Sequence, residues 1–238
     1  MYLKQFAKKM KTIGMIGGTG WPSTLEYYKI INQEINKRLG GLSSAKIILS
    51  SFNYAEIDAL NKNDDRTGVY KLVLDAAQRL KKASVDFIII CANTLHQYVD
   101  DLEKETGSKI VHIADATAKE INRKGLSKIG LLGTRFTMEM DFYTSRLQSV
   151  GIVSVTPPKA DREFIHNSIM NELLKEQFKK ETKQRFLKII DELKKRGAEG
   201  IVLGCTEIPL LIKQDDTRLA LFNTLEIHAK AAVDFAIG

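Results

Sequence analysis

Asp86-Phe87-Ile88-Ile89-Ile90-Cys91-Ala92-Asn93-Thr94-Leu95-His96 runs a block of strand-forming residues into a small polar turn, and a helical pattern follows directly. The same construction returns as Glu199-Gly200-Ile201-Val202-Leu203-Gly204-Cys205-Thr206-Glu207-Ile208-Pro209. At an offset of 113 residues, Ile88 falls on Ile201, Ile90 on Leu203, Ala92 on Cys205 and Asn93 on Thr206. Ile13-Gly14-Met15-Ile16-Gly17-Gly18 is echoed by Ile129-Gly130-Leu131-Leu132-Gly133-Thr134 at an offset of 116. Two similar halves made of βα units follow, which implies parallel sheets with right-handed crossovers. A buried parallel strand that ends in a polar turn at a helix start is a usual place for a site in such folds, because backbone N–H groups converge there. The chain's two cysteines lie at the two matching turns, one residue out of register.

Working outward, the pattern predicts a first strand over 12–17 and a helix with a capping box at Ser23-Thr24-Leu25-Glu26. Its apolar stripe is Leu25, Tyr28, Ile31, Ile35 and Leu39, closed by Gly40-Gly41. A strand over 47–51, a long polar connection over 52–65 at the mouth of the site, and a helix over 69–82 come next. A helix over 95–104, a short strand over 110–113 and a helix over 114–124 complete the first half. The second half predicts helices over 138–150, 161–174 and 179–196 around strands over 152–156 and 200–203.

A chain of 238 residues can bury a full core, and 44% hydrophobic with 27% charged residues is ordinary for a globular protein. No apolar run is long enough to span a bilayer, and the first nine residues lack a signal-peptide core, so a cytoplasmic location is expected. The net charge of +7 raises nucleic-acid binding, but the basic residues are interleaved with acidic ones, as over 178–196, and read as solvated helix faces. No Cys-x-x-Cys or His-x-x-x-His pair supports a metal, and Gly18 to Ser23 breaks the Gly-x-Gly-x-x-Gly needed for a dinucleotide. No cofactor, metal, nucleic acid or membrane partner is therefore expected.

The paired turns, with Asn93-Thr94-Leu95-His96, Gly204-Cys205-Thr206-Glu207, His112-Ile113-Ala114-Asp115-Ala116-Thr117 and Leu132-Gly133-Thr134-Arg135-Phe136-Thr137-Met138-Glu139, resemble the cofactor-independent aspartate/glutamate racemases from about Met10 onward. The resemblance implies an α/β fold of two similar Rossmann-like domains with parallel sheets, pseudo-twofold related, with the active site in the cleft between them. On that basis residues 10–111 plus 215–238 form the first domain and 112–214 the second, with 1–9 an N-terminal extension. It also implies a homodimer and a small-molecule amino acid or dicarboxylic acid as substrate.

Racemisation without a cofactor needs a base on each side of the substrate's α-carbon, and a cysteine switches readily between thiol and thiolate. The resemblance makes Cys205 one of the two. Thr206 then helps to hold the substrate, and Glu207 meets its amino group or tunes the thiol. Asn93, Thr94 and Thr134 match α-carboxylate ligands, although Asn and Thr at a helix start also serve as caps. The other thiol position, immediately before Asn-Thr, is Ala92, and the internal repeat gives the same alignment. Adjacent residues at a strand end point to opposite sides, so Cys91 is expected to face the interior and serves as second base only if a bulge turns it into the site. His96 and His166 match family positions but read as packing histidines, as do His112 and His228. The sequence thus predicts a racemase with weak or one-sided activity. A single-thiol decarboxylase or isomerase of the same superfamily, or a non-catalytic amino-acid-binding paralogue, are the alternatives. Aspartate-specific members of the resembling family hold the distal carboxylate with an Arg in the loop after the second strand and a basic residue in the second domain; residues 52–65 here hold one basic residue, Lys62, with Arg66 just beyond, so the resemblance does not imply strict aspartate specificity.

Overall fold

The computed structural model describes residues 10–238; the expected extension over 1–9 lies outside them. Strands β1 (Ile13–Gly17), β2 (Ile47–Ser51) and β3 (Phe87–Ile90) form one parallel sheet in the order β2-β1-β3. A parallel bridge from Ile88 to Ile110 extends it by one residue. Strands β4 (Lys128–Gly133), β5 (Val153–Val155), β6 (Gly200–Gly204) and β7 (Ala220–Asn223) form the second, in the order β5-β4-β6-β7. Each sheet therefore places its first strand between its second and third, and the two halves share one winding, as the echoed motifs imply.

By contacts, the chain divides into two compact units. One holds residues 10–91, Tyr98–His112 and His228–Gly238; the other holds Ala92–Gln97 and Ile113–Ile227. Residues 215–227 differ from the sequence expectation. β7 pairs in register with β6, Gly200 with Ala220 through Leu203 with Asn223, so this stretch completes the second sheet rather than returning to the first domain. The absence of a side chain at Gly200 permits that pairing, because a Cβ there would stand 2.8 Å from the Phe222 ring and 3.0 Å from the Ala220 carbonyl.

The helices of the first unit begin with α1 (Trp21–Leu39), α2 (Tyr54–Lys62), α3 (Arg66–Lys82) and α4 (Val99–Thr106). Three expectations fail there. α1 starts at Trp21 rather than at a Ser23 cap, since Gly18 and Gly20 adopt left-handed backbone, and the Thr24 hydroxyl turns back to accept from the Gly18 N–H at 2.9 Å. Its buried face is Tyr27, Ile31 and Ile35 with Ser23 and Thr24, while Leu25, Tyr28 and Leu39 are exposed. The stretch 52–65 is also mostly helical: the Asn53 side chain caps α2 by accepting from the Ala55 N–H at 3.3 Å.

In the second unit, α5 (Ile113–Arg123), α6 (Arg135–Glu139), α7 (Asp141–Gln148), α8 (Lys159–Asn171), α9 (Lys180–Lys195) and α10 (Ile208–Leu211) surround the sheet, and α11 (Thr224–Ile237) ends the chain. The expected helix over 138–150 is two, broken at Met140, whose backbone is extended. Alternate strand residues serve opposite faces. Ile201 and Leu203 join Leu132, Phe186 and Ile190 in one core, and Val202 joins Ile129, Leu131, Tyr143 and Phe222 in the other. Burial on both faces is why these strands read as unbroken apolar runs, each large side chain contributing about 1.5–3 kcal/mol.

A buried polar chain ties the first unit together. His228 of α11 donates through Nε2 to the Val111 carbonyl at 2.8 Å and accepts at Nδ1 from the Tyr27 hydroxyl of α1 at 2.9 Å. Burial pulls this histidine down to about 4 from its ordinary 6.5, against the opposing Val111 bond. A folded-state value below the unfolded one means that the unfolded chain binds the proton more tightly. Stability is thus complete above about pH 6.5 and falls as pH drops toward about 4. Denaturant unfolding across that range should show about 3 kcal/mol lost through this residue. A His228→Gln variant should lack that part of the slope, and an unchanged slope would refute the assignment.

Candidate active site

Two strand ends and one further segment of the second unit deliver the candidate residues. β4 and β6 pair as far as Gly133 and Gly204, and a Cβ at either glycine would come within 2.9 Å of the other strand's backbone, so these positions hold the strands close. Thr134 and Cys205 are the next residues on the two strands. The third contribution is Ala92–Gln97, which follows β3 but packs with the second unit.

Cys205 is 8% exposed and sits among Leu132, Leu203 and Ile208 at the edge of the core. Its thiol donates to Oε2 of Glu207 at 2.9 Å, and the Thr206 hydroxyl donates to the same oxygen at 2.9 Å. Burial pushes the Cys205 thiol well above its ordinary value, and the Glu207 charge and hydrogen bond push it further; backbone hydrogen bonds from Glu207 and Thr206 oppose this. A helix start ordinarily favours thiolate, but that effect does not prevail here. The following helix, α10, has four residues and little dipole to offer, and the carboxylate outweighs it. At rest the group is a neutral thiol, a proton donor held against a buried acceptor.

Thr94, Thr134 and Thr137 form a line of hydroxyls: Thr94 Oγ1 lies 3.1 Å from Thr134 Oγ1, which lies 3.2 Å from Thr137 Oγ1. Thr134 also caps α6 by accepting from the Thr137 N–H, so its capping and site geometry coincide. Asn93 donates through Nδ2 to Thr224 Oγ1 at 3.1 Å, and Thr224 donates to the Leu203 carbonyl at 2.9 Å. Asn93 Oδ1 is buried and has no protein partner among the described residues. Thr224 was not singled out from the sequence; its signal was a threonine between an apolar strand and a helix start, the construction seen at both motifs.

Cys91 is 1% exposed and its N–H donates to the Ile16 carbonyl at 2.8 Å, within the first unit. Burial alone raises its thiol far above the ordinary value. Ala92, at the expected first-thiol position, is half-buried and offers only its carbonyl, which accepts from Nδ1 of buried His96 at 2.7 Å. Half-buried His166 accepts at Nδ1 from the Arg135 N–H at 3.4 Å. No group of three or more metal-ligating side chains occurs among the described residues, nor any helix long and apolar enough to cross a membrane.

Comparison with known proteins follows this geometry. The chain is similar to the crystal structure of a putative Asp/Glu racemase from Yersinia pestis, at 43% identity and a TM-score of 0.90, covering 96% of this chain and 100% of that one. It is similar to an aspartate racemase homologue from Pyrococcus horikoshii OT3 at 35% identity and a TM-score of 0.81, covering 95% and 99%. In sequence it is 23% identical over 177 residues to a broad specificity amino-acid racemase of Bacillus subtilis (strain 168), covering 71% of this chain and 73% of that protein. Residues 16–232 match the family described as Asp/Glu/Hydantoin racemase, so nearly the whole chain carries the family pattern, and it belongs to that racemase family.

Proposed function

We propose that this chain is an amino-acid racemase, independent of pyridoxal phosphate and metal, in which Cys205 moves the proton at the substrate's α-carbon and no matching thiol serves the other face. The observation that carries this reading is the Cys205 thiol aimed at the Glu207 carboxylate, beside the Thr94–Thr134 hydroxyl pair. The hydroxyls donate to the substrate's α-carboxylate and stabilise the charge that develops on it as the Cα proton leaves. The open Asn93 Oδ1 and the Glu207 carboxylate receive the α-ammonium. That cation offsets the negative charge that holds the thiol up, so substrate binding itself eases formation of the thiolate that takes the proton. With Ala92 opposite, the carbanion is reprotonated mainly from the face it was formed on, and turnover is weak or one-sided. The reading also takes the protein as a cytoplasmic homodimer.

A second reading, favoured by the protonated resting thiol, is decarboxylation of a malonate-type acid. Loss of carbon dioxide leaves a carbanion that Cys205 protonates from one face. Release of carbon dioxide without exchange of any amino acid would select it.

In deuterated water one enantiomer of an amino-acid substrate should exchange its Cα hydrogen much faster than it inverts, and Cys205→Ala should lower that exchange about 100- to 10,000-fold. Ala92→Cys should raise inversion relative to exchange by at least about tenfold. Equal inversion of both enantiomers by the unaltered protein would show that another group supplies the second base. The tuning role of Glu207 has its own test: in a Cys91→Ala background, ultraviolet absorbance should show Cys205 thiolate only above the ordinary thiol range, and Glu207→Gln should move that titration downward. A titration unaffected by Glu207→Gln would remove the carboxylate from the argument.

A further inference from the structure

Helix α1 has two apolar faces. Tyr27, Ile31 and Ile35 are buried, whereas Trp21, Leu25 and Tyr28 stand 67%, 60% and 54% exposed. Spacings of four and three residues put these three on one stripe, which continues through Asn32 and Asn36. The two asparagines fix the direction in which the stripe faces. Asn32 Oδ1 accepts from the Ala45 N–H at 3.0 Å, and Asn36 Nδ2 donates to the Gly41 and Ser43 carbonyls at 2.8 and 3.2 Å, all in the segment that feeds β2. β2 is the edge of its sheet, paired among the described residues with β1 alone. Leu49, at its centre, is 48% exposed and reaches the α1 side: a Cβ at Gly17 would stand 2.4 Å from Thr24 Cγ2 and 3.1 Å from Leu49 Cδ1. Trp21, Leu25, Tyr28 and Leu49 therefore form one apolar patch along the open edge of the first sheet.

At these exposures the patch presents roughly 450 Å² of side-chain surface, the size at which an exposed apolar area marks an interaction site. Set against itself it would bury roughly 900 Å², a little over half of the roughly 1,600 Å² of a standard two-partner interface, and a polar rim supplies the rest in the proportion such interfaces have. The charged neighbours on its flank, Glu26 and Lys29, are paired with each other at 3.3 Å, so two copies meet there without opposed like charges. A two-fold axis beside β2 makes the contact isologous, and the assembly stops at two. We propose that the Trp21-Leu25-Tyr28 stripe of α1, with Leu49 of β2, is the face on which a second copy of this chain docks. The inference rests on the homodimer proposed above and adds its face; it is independent of the chemistry assigned to Cys205, which belongs to the other unit.

The chain's single tryptophan lies in this patch, so its fluorescence reports on the face directly. The test is sedimentation of the full chain over a micromolar dilution series, with Trp21 emission read on the same samples. The unaltered protein should sediment at twice the 26.8 kDa chain mass. Leu25→Glu on α1 and Leu49→Lys on β2 should each raise the dimer dissociation constant at least about a hundredfold, the worth of a central apolar contact replaced by a charge on both copies. In each variant Trp21 emission should move to longer wavelength as the ring returns to water. Both positions are exposed, so the variants should fold, and circular dichroism checks this. Lys188→Glu, at an exposed position on α9 of the other unit, should change neither mass nor emission. A dimer that keeps its mass and its Trp21 emission in both patch variants would leave the homodimer standing and sink this face. A chain that is monomeric at every concentration overturns both. Cα–H exchange measured alongside is a separate readout, so neither failure counts against the acid/base role of Cys205.

Discussion

The close pairing of β4 and β6 at Gly133 and Gly204 is the constraint on which the candidate site depends. At their ends the two strands stand so near that a methyl group at either position would meet the other's backbone or the Thr137 side chain. Any side chain there would splay the strands, and Thr134 and Cys205 would separate with them. The Leu203 carbonyl extends the same strand end outward: Thr224 is bonded to it, and Asn93 is bonded to Thr224. Sheet geometry, rather than loop conformation, therefore sets the spacing of the polar groups, which suits chemistry sensitive to small displacements.

Electrostatics within this frame run against the usual recipe for a reactive cysteine. Burial and the neighbouring Glu207 carboxylate hold the Cys205 thiol up, and the following helix is a single turn. Such a site stores its proton on sulfur until something positive arrives. On the proposed reading an α-amino acid brings a positive charge at the atom next to the reacting carbon, which would link ligand binding to proton transfer. A thiol that is reactive only when occupied is also shielded from oxidants and alkylating agents when empty.

Much of the fold was legible because strands buried on both faces must be apolar throughout, and β3, β4 and β6 announce themselves as such runs. The repeat of strand and polar turn located Cys205, Asn93, Thr94 and Thr134, and the structure does bring Thr94 to Thr134 and Cys205 to Glu207. What was not legible depended on backbone conformation or on distant partners. The start of α1 is set by left-handed glycines at Gly18 and Gly20, not by the capping-box spacing a few residues later. The outward turn of Leu25 and Tyr28 depends on which face of α1 the sheet covers. The sheet that β7 joins is decided by a close approach at Gly200, which nothing local to Ala220–Asn223 encodes. Thr224 was missed with it, because its partner is the Leu203 carbonyl on the neighbouring strand.

The two echoed turns have the same origin in the fold and different chemistry in the side chains. Both end a central apolar strand and open into a helix, but the second presents Cys205-Thr206-Glu207 and the first Ala92-Asn93-Thr94. The first turn keeps its polar framework: Asn93 is bonded to Thr224, Thr94 to Thr134, and the Ala92 carbonyl to His96. At the position that matches Cys205 the first turn has Ala92, and the neighbouring Cys91 has its backbone bonded into the sheet and its side chain closed off from solvent. Each of the turn's buried polar bonds avoids a desolvation penalty, so the turn is held in shape whatever it binds. On the reading proposed above, the first turn helps to hold the substrate, while the second, with Cys205 and Glu207, both holds it and moves its proton.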